Sequence, residues 1–104
     1  MIYLVTKEKS LFGSSLYKNI TVEESLEMIK GCNILQYDSE TSGIDCHLAH
    51  LLCIQIGNKT KDFQIVIDAI TIDIRLYKDV LENTLLIGHN IKFDLKFLYN
   101  YNII

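Results

Sequence analysis

Two β-prone runs around one short polar turn constrain this chain more than any other feature. Leu51 to Gly57 reads L-L-C-I-Q-I-G, a nearly continuous apolar run of the kind a buried strand carries. The polar turn G-N-K-T-K follows, and then F-Q-I-V-I-D from Phe63 to Asp68. Such a pair specifies an antiparallel hairpin. The other elements arrange themselves around it. Ile2 to Thr6 is a short β-prone run, and Lys7 to Asn19 contains G-S-S and reads as loop. Thr21 is a good N-cap and Glu24 stands three residues later, the signature of a capping box. Val22, Leu26 and Ile29 then share one helical face, and Gly31 ends the helix. Ile34 to Ser39 reads as a strand, and Glu40 to His50 as a loop containing Gly43. Asp73 caps a helix on which Ile74, Tyr77 and Leu81 align; Leu85 to Ile87 is a short buried strand ending at Gly88. Asn90 is the expected N-cap of a last helix through about Tyr99. The order of strand, helix, three strands, helix, strand and helix makes an α/β layer fold with a mixed sheet.

The 104 residues suffice for one small domain with a core, and neither a repeat nor a linker divides them. Ten Lys and Arg stand against thirteen Asp and Glu, a net charge of −3. That excludes a module that grips nucleic acid by cationic excess alone. No apolar run approaches the roughly 18–20 residues of a membrane span, and charges interrupt the N-terminal M-I-Y-L-V-T-K-E-K too early for a secretory signal. Cys32, Cys46 and Cys53 are an odd number without a C-x-x-C pair, so reduced thiols in a cytoplasmic compartment are expected.

Two segments carry the candidate chemistry. Asp38 and Glu40 form D-x-E at a strand end. Alternation puts both side chains on one face, about 7 Å apart along the strand. Converging carboxylates make an oxygen-rich site suited to a hard divalent cation. The following Thr41-Ser42-Gly43 is a small exit through which a substrate can approach closely. The second segment is G-H-N-I-K-F-D, Gly88 to Asp94. It puts Asp94 in the first turns of a helix, where the dipole favours an ionised carboxylate. Sites in layered α/β sheets assemble at the carboxyl ends of strands, where one edge could gather Asp38, Glu40 and Asp94. A bare D-x-E, or a lone Asp near a helix start, is by itself only a solvated acid.

Together, D-S-E-T-S-G and I-G-H-N-I-K-F-D-L-K-F-L resemble the first two motifs of the DEDD superfamily of 3′–5′ exonucleases. The likeness is greatest to the proofreading exonuclease domain of DNA polymerase I-type (family A) enzymes; ribonuclease D-type enzymes are more distant. The resemblance implies an RNase H-like mixed sheet flanked by helices, with residues 1–104 as the N-terminal portion of the domain, incomplete at its C-terminus. It implies two-metal hydrolysis of phosphodiester bonds with Mg2+ or Mn2+, with Asp38, Glu40 and Asp94 as metal ligands and catalytic residues. Thr41, Gly43 and Asn90 would contact substrate, and Lys92 would support the second motif. Bound ions would invert the local charge, so a chain of net −3 could still process a polyanion. The implied partners are the 3′ end of single-stranded DNA and a downstream polymerase domain or complementary chain, with no membrane. The family pattern also has a third motif, a Tyr or His followed by a fourth carboxylate. Tyr99 and Tyr101 are not followed by an acid, so little or no hydrolysis is expected of these residues alone. A non-catalytic binding module of the same fold and a ribonuclease D-like exoribonuclease fragment stay open as alternatives, as does DNA against RNA.

Other clusters count for less. Cys46, His47 and His50 form C-H-L-A-H, too few ligands in too short a span for a structural zinc site. G-x-S-x-G and the phosphate-cradling G-x-x-x-x-G-K-[ST] are both absent. Leu11, Phe12, Leu16 and Tyr17 are expected as core or edge contacts, and Phe93 as a core residue.

Overall fold

A computed structural model describes residues 1–104. The strands are β1 (Ile2–Val5), β2 (Lys18–Asn19), β3 (Ile34–Thr41), β4 (Leu51–Asn58), β5 (Phe63–Asp68) and β6 (Leu85–Ile87). The helices are α1 (Val22–Ile29), α2 (Lys78–Glu82), which continues a 3-10 turn at Ile74–Tyr77, and α3 (Ile91–Tyr99). All six strands form one sheet in the order β2-β1-β5-β4-β3-β6. The expected hairpin is its centre: β4 pairs antiparallel with both β5 and β3. β1 runs parallel to β5, β2 parallel to β1, and β6 parallel to β3. The sheet is thus mixed, as expected. The segment from Lys7 to Asn19 is not simply loop, since it contains a 3-10 turn at Lys9–Leu11 and the edge strand β2.

The core forms on one face of the sheet. Ile54 and Ile56 of β4 and Ile65 and Ile67 of β5 are 0% exposed, and burying each such side chain contributes about 1.5–3 kcal/mol. Leu35 and Tyr37 of β3 and Val5 of β1 extend the layer. The helices cover it with Ile29, with Ile74, Tyr77 and Leu81, and with Phe97 and Leu98. Phe93 packs beside Phe97 with ring centroids 5.4 Å apart, partly buried against this core. Leu11, Phe12 and Leu16, by contrast, are exposed and not core. They lie in the segment that leads into the short edge strand β2.

Local chemistry explains the element boundaries. Thr21 and Glu24 form the complete capping box of α1, and Gly31 follows the helix with φ of +84°, the left-handed conformation that glycine adopts without steric cost. The buried Ser25 hydroxyl donates to Val22 O at 2.6 Å and therefore accepts from the Tyr77 hydroxyl at 2.6 Å, which ties α1 to the segment before α2. Asp68 closes the end of β5. Its carboxylate accepts from Thr6 Oγ1 at 2.7 Å, Thr71 Oγ1 at 2.8 Å and Ile70 N at 3.0 Å. Gly88 continues β6 alongside β3, and a Cβ there would lie 2.4 Å from the carbonyl oxygen of Tyr37. Glycine is required by that close approach. No helix is long and apolar enough to cross a membrane.

Two predictions follow from these contacts. Gly88→Ala must push β6 away from β3, and overpacking of this kind costs about 1–3 kcal/mol; urea denaturation should show the loss. Burial works against the Asp68 carboxylate, but the Thr6 and Thr71 hydrogen bonds outweigh it and hold its pKa below the usual value. A folded-state pKa below the unfolded one adds stability above the unfolded pKa, and that stability is lost as pH falls through the folded pKa. Wild type should therefore exceed Asp68→Asn in melting temperature at neutral pH, with the gap narrowing in acid.

Candidate active site

Strand geometry decides where the D-S-E acids go. Along β3, exposed and buried residues alternate strictly from Ile34 to Glu40. Asp38 and Glu40 therefore face outward together, and Ser39 between them faces the core. A register shift between Glu40 and Thr41 ends the regular pairing just beyond the second acid. Asp38 lines a shallow polar cavity of about 270 Å3 with Gln36, Gln55, Gln64 and His89. Glu40 stands opposite Cys53, and Cys53 opposite Asp68. Directly paired residues share a face, so these three make one row across the sheet. Burial pushes the Cys53 thiol pKa up, and the charge on Glu40 pushes it further.

Asp94 arrives from the other direction. It lies in the first turn of α3 and is 4% exposed. Its Oδ1 accepts from Ser39 Oγ at 2.5 Å. Burial raises the pKa of its carboxyl; the Ser39 hydrogen bond opposes that, while the charges on Asp38 and Glu40 add to it. The structure thus brings Asp94 into the field of both D-S-E acids. It does not gather all three into one tight cluster. The group of three ligating side chains whose donor atoms lie within 4.8 Å of one another is instead Asp45, Cys46 and His47. A local turn accounts for that closeness, since His47 N donates to Asp45 Oδ1 at 2.9 Å.

The carboxylates of Asp38, Glu40 and Asp94 have no cationic partner. The two salt bridges of the chain are Arg75–Asp73 and Lys78–Glu82, both elsewhere. Asp94, buried in the field of Asp38 and Glu40 with no counter-charge beside it, offers with them hard oxygen donors of the kind a divalent cation takes.

The remaining candidates have diverse placements. The Thr41 hydroxyl donates to Gly43 O at 2.7 Å, so it braces the loop. Ser42 N donates to His50 O and His50 N to Ser42 Oγ. Asn100 Nδ2 donates to Cys46 O at 2.7 Å and ties the same loop to α3. His47 and His50 are exposed on it. Asn90 occupies the N-cap position of α3, but its side chain makes no capping hydrogen bond. Its backbone is left-handed, with φ of 52° and ψ of 43°; a capping residue has extended backbone, whereas Asn tolerates this turn. Asn90 and Lys92 are both exposed. Sequence reasoning passed over Ser39 and Tyr37. The Tyr37 hydroxyl is buried without a hydrogen-bond partner, and burial, then the charge on Asp94, raises its pKa. Alternation along D-S-E was the signal that a hydroxyl would be buried at Ser39.

Comparison with known proteins agrees with this geometry. The sequence profile of a 3′–5′ exonuclease family matches residues 15–104. DNA polymerase I of Aquifex aeolicus (strain VF5) is 34% identical over 92 residues, which are 84% of this chain and 15% of that protein. Among solved structures, the catalytic core of RRP6 from Trypanosoma brucei superposes with a TM-score of 0.68 at 14% identity, covering 94% of this chain and 25% of its own. RNase D of Escherichia coli, an exoribonuclease involved in structured RNA processing, gives a TM-score of 0.65 at 17% identity, covering 93% and 23%. The chain thus spans a small part of each relative, and the two structural likenesses are likenesses of fold. With the profile match, the polymerase segment and the shared fold in agreement, the chain belongs to the 3′–5′ exonuclease domain family of DNA polymerase I-type enzymes, built on the RNase H-like fold of the DEDD exonucleases.

Proposed function

We propose that the outward acids of β3 and the first-turn acid of α3 form the cation-binding part of an exonuclease site. The site would remove nucleotides from the 3′ end of single-stranded DNA, as a proofreading activity beside a polymerase domain in the cytoplasm. The observation that carries this reading is the buried Asp94 carboxylate, held in the field of Asp38 and Glu40 without a cationic partner. Stability alone gives no reason to hold Asp94 buried in the field of two more acids. Asp38, Glu40 and Asp94 would hold Mg2+ or Mn2+; when bound, two such ions supply an activated water and charge stabilisation at the leaving 3′ oxygen.

The chain's own residues would do the positioning. Thr41 and Gly43 keep the loop after β3 tight, so that a strand of substrate can pass close to the acids. Asn90 is exposed with its side chain uncommitted to a cap, which leaves its amide free to hydrogen-bond a substrate. DNA is favoured over RNA because the 34% identity is with a DNA polymerase I segment, whereas the likeness to the exoribonuclease rests on fold. A purely non-catalytic module would have no use for the three acids.

Isothermal titration of the full chain with Mn2+ tests the reading. Binding is expected, and Asp38→Ala, Glu40→Ala and Asp94→Ala should each weaken it by more than about tenfold. No binding, or binding indifferent to Asp38→Ala, would favour the non-catalytic module. The 104 residues supply three carboxylates where the family pattern uses four, so 3′-labelled single-stranded DNA should survive incubation with the chain and Mg2+. Rapid metal-dependent degradation would show that three acids suffice.

A further inference from the structure

We propose that Ser39 is the positioning residue of the Asp94 carboxylate. It selects which oxygen of Asp94 is left to meet the cation. The inference rests on the reading of Asp94 as a cation ligand, and deepens it.

The geometry is specific. Ser39 stands between the two outward acids, yet alternation turns it toward the core, where it is 9% exposed. Its hydroxyl donates to Oδ1 of Asp94 at 2.5 Å across two separate elements, β3 and α3. This is the one hydrogen bond that the Asp94 side chain makes within the protein, and Oδ2 accepts none. The neighbouring inward residue, Tyr37, also carries a hydroxyl, and that hydroxyl has no partner. Ser39 is therefore the one side chain that hydrogen-bonds the carboxylate.

A hydroxyl donating to a carboxylate makes a short, charge-assisted hydrogen bond. With Oδ1 engaged, rotation of the carboxylate is restricted and Oδ2 is the oxygen presented to an ion. A ligand ordered before the ion arrives loses less freedom on binding. Groups that hydrogen-bond a metal ligand from behind act in this way, and their removal lowers metal affinity. Ser39 would thus hold Asp94 on the core side of the strand whose outward side carries Asp38 and Glu40.

A merely structural bond that fastens α3 to β3 would alter stability and leave ion affinity alone. Calorimetric titration of the full chain with Mn2+ separates the two roles, with circular dichroism in EDTA reporting folding. Ser39→Ala should weaken Mn2+ binding about ten- to a hundredfold, and Ser39→Thr, which keeps the hydroxyl, should recover most of the loss. In an Asp94→Asn background, Ser39→Ala should change affinity no further, since the two residues act as one unit. Should Ser39→Ala fail to fold, Ser39→Cys keeps the size with a weaker donor and should lose part of the affinity. Ser39→Ala, or Ser39→Cys in its place, binding Mn2+ as wild type does would overturn the role of Ser39 while the cation site stands. Wild type that binds no Mn2+ would instead remove the cation reading, and this inference with it.

Discussion

The period of two along β3 is the constraint on which the arrangement of the site depends. Leu35 and Tyr37 must face the core, and their burial commits every other residue of the strand. Asp38 and Glu40 then have to point outward, and Ser39 inward. A slip of one residue would drive both acids into the apolar layer and bring out the core residues. The ladders to β4 on one side and β6 on the other hold the register. The apolar positions of β3 thus set the spacing of its charges.

Asp94 is positioned by a different set of causes. The chain leaves β6 through Gly88, passes against the backbone of β3 and reverses at Asn90 in a left-handed turn. α3 then settles with Phe97 and Leu98 in the core, and this packing fixes the rotation that aims Asp94 at Ser39. The outcome is locally unfavourable, because a carboxylate is taken from water into the field of two others. Conflicts of this kind between local preference and the fold are characteristic of functional sites. Here the buried isoleucines of β4 and β5 offset the cost.

Much of this was legible in the residues. The apolar runs at Leu51 and Phe63 did give the hairpin, the Thr21–Glu24 pair did form a capping box, and Ile74, Tyr77 and Leu81 are all buried together. Each of these depends on local chemistry or a simple period. β2 was not legible, because Lys18 and Asn19 carry no pattern and form a strand only where β1 offers an edge. Leu11, Phe12 and Leu16 were expected as core or edge contacts, and they are exposed near the edge and not in the core, because composition does not say which apolar residues find cover. Asn90 had the right residue type for a cap, and the tight path from Gly88 gave it another backbone. For the site, D-S-E and N-I-K-F-D were enough to point to the family. The Ser39–Asp94 bond was not readable, since it depends on the rotation of α3 over the sheet.

The sheet ends in strands of two and three residues, β2 and β6. So short an edge presents few unpaired amides along which a second chain could zip, and shortness is one of the ways natural sheets avoid edge-to-edge aggregation. The long, apolar and strongly β-prone strands β4 and β5, which would template such association most readily, are paired on both sides. The order of strands therefore acts as protection as well as scaffold. The apolar central strands β4 and β5 are the ones the fold keeps furthest from its margins.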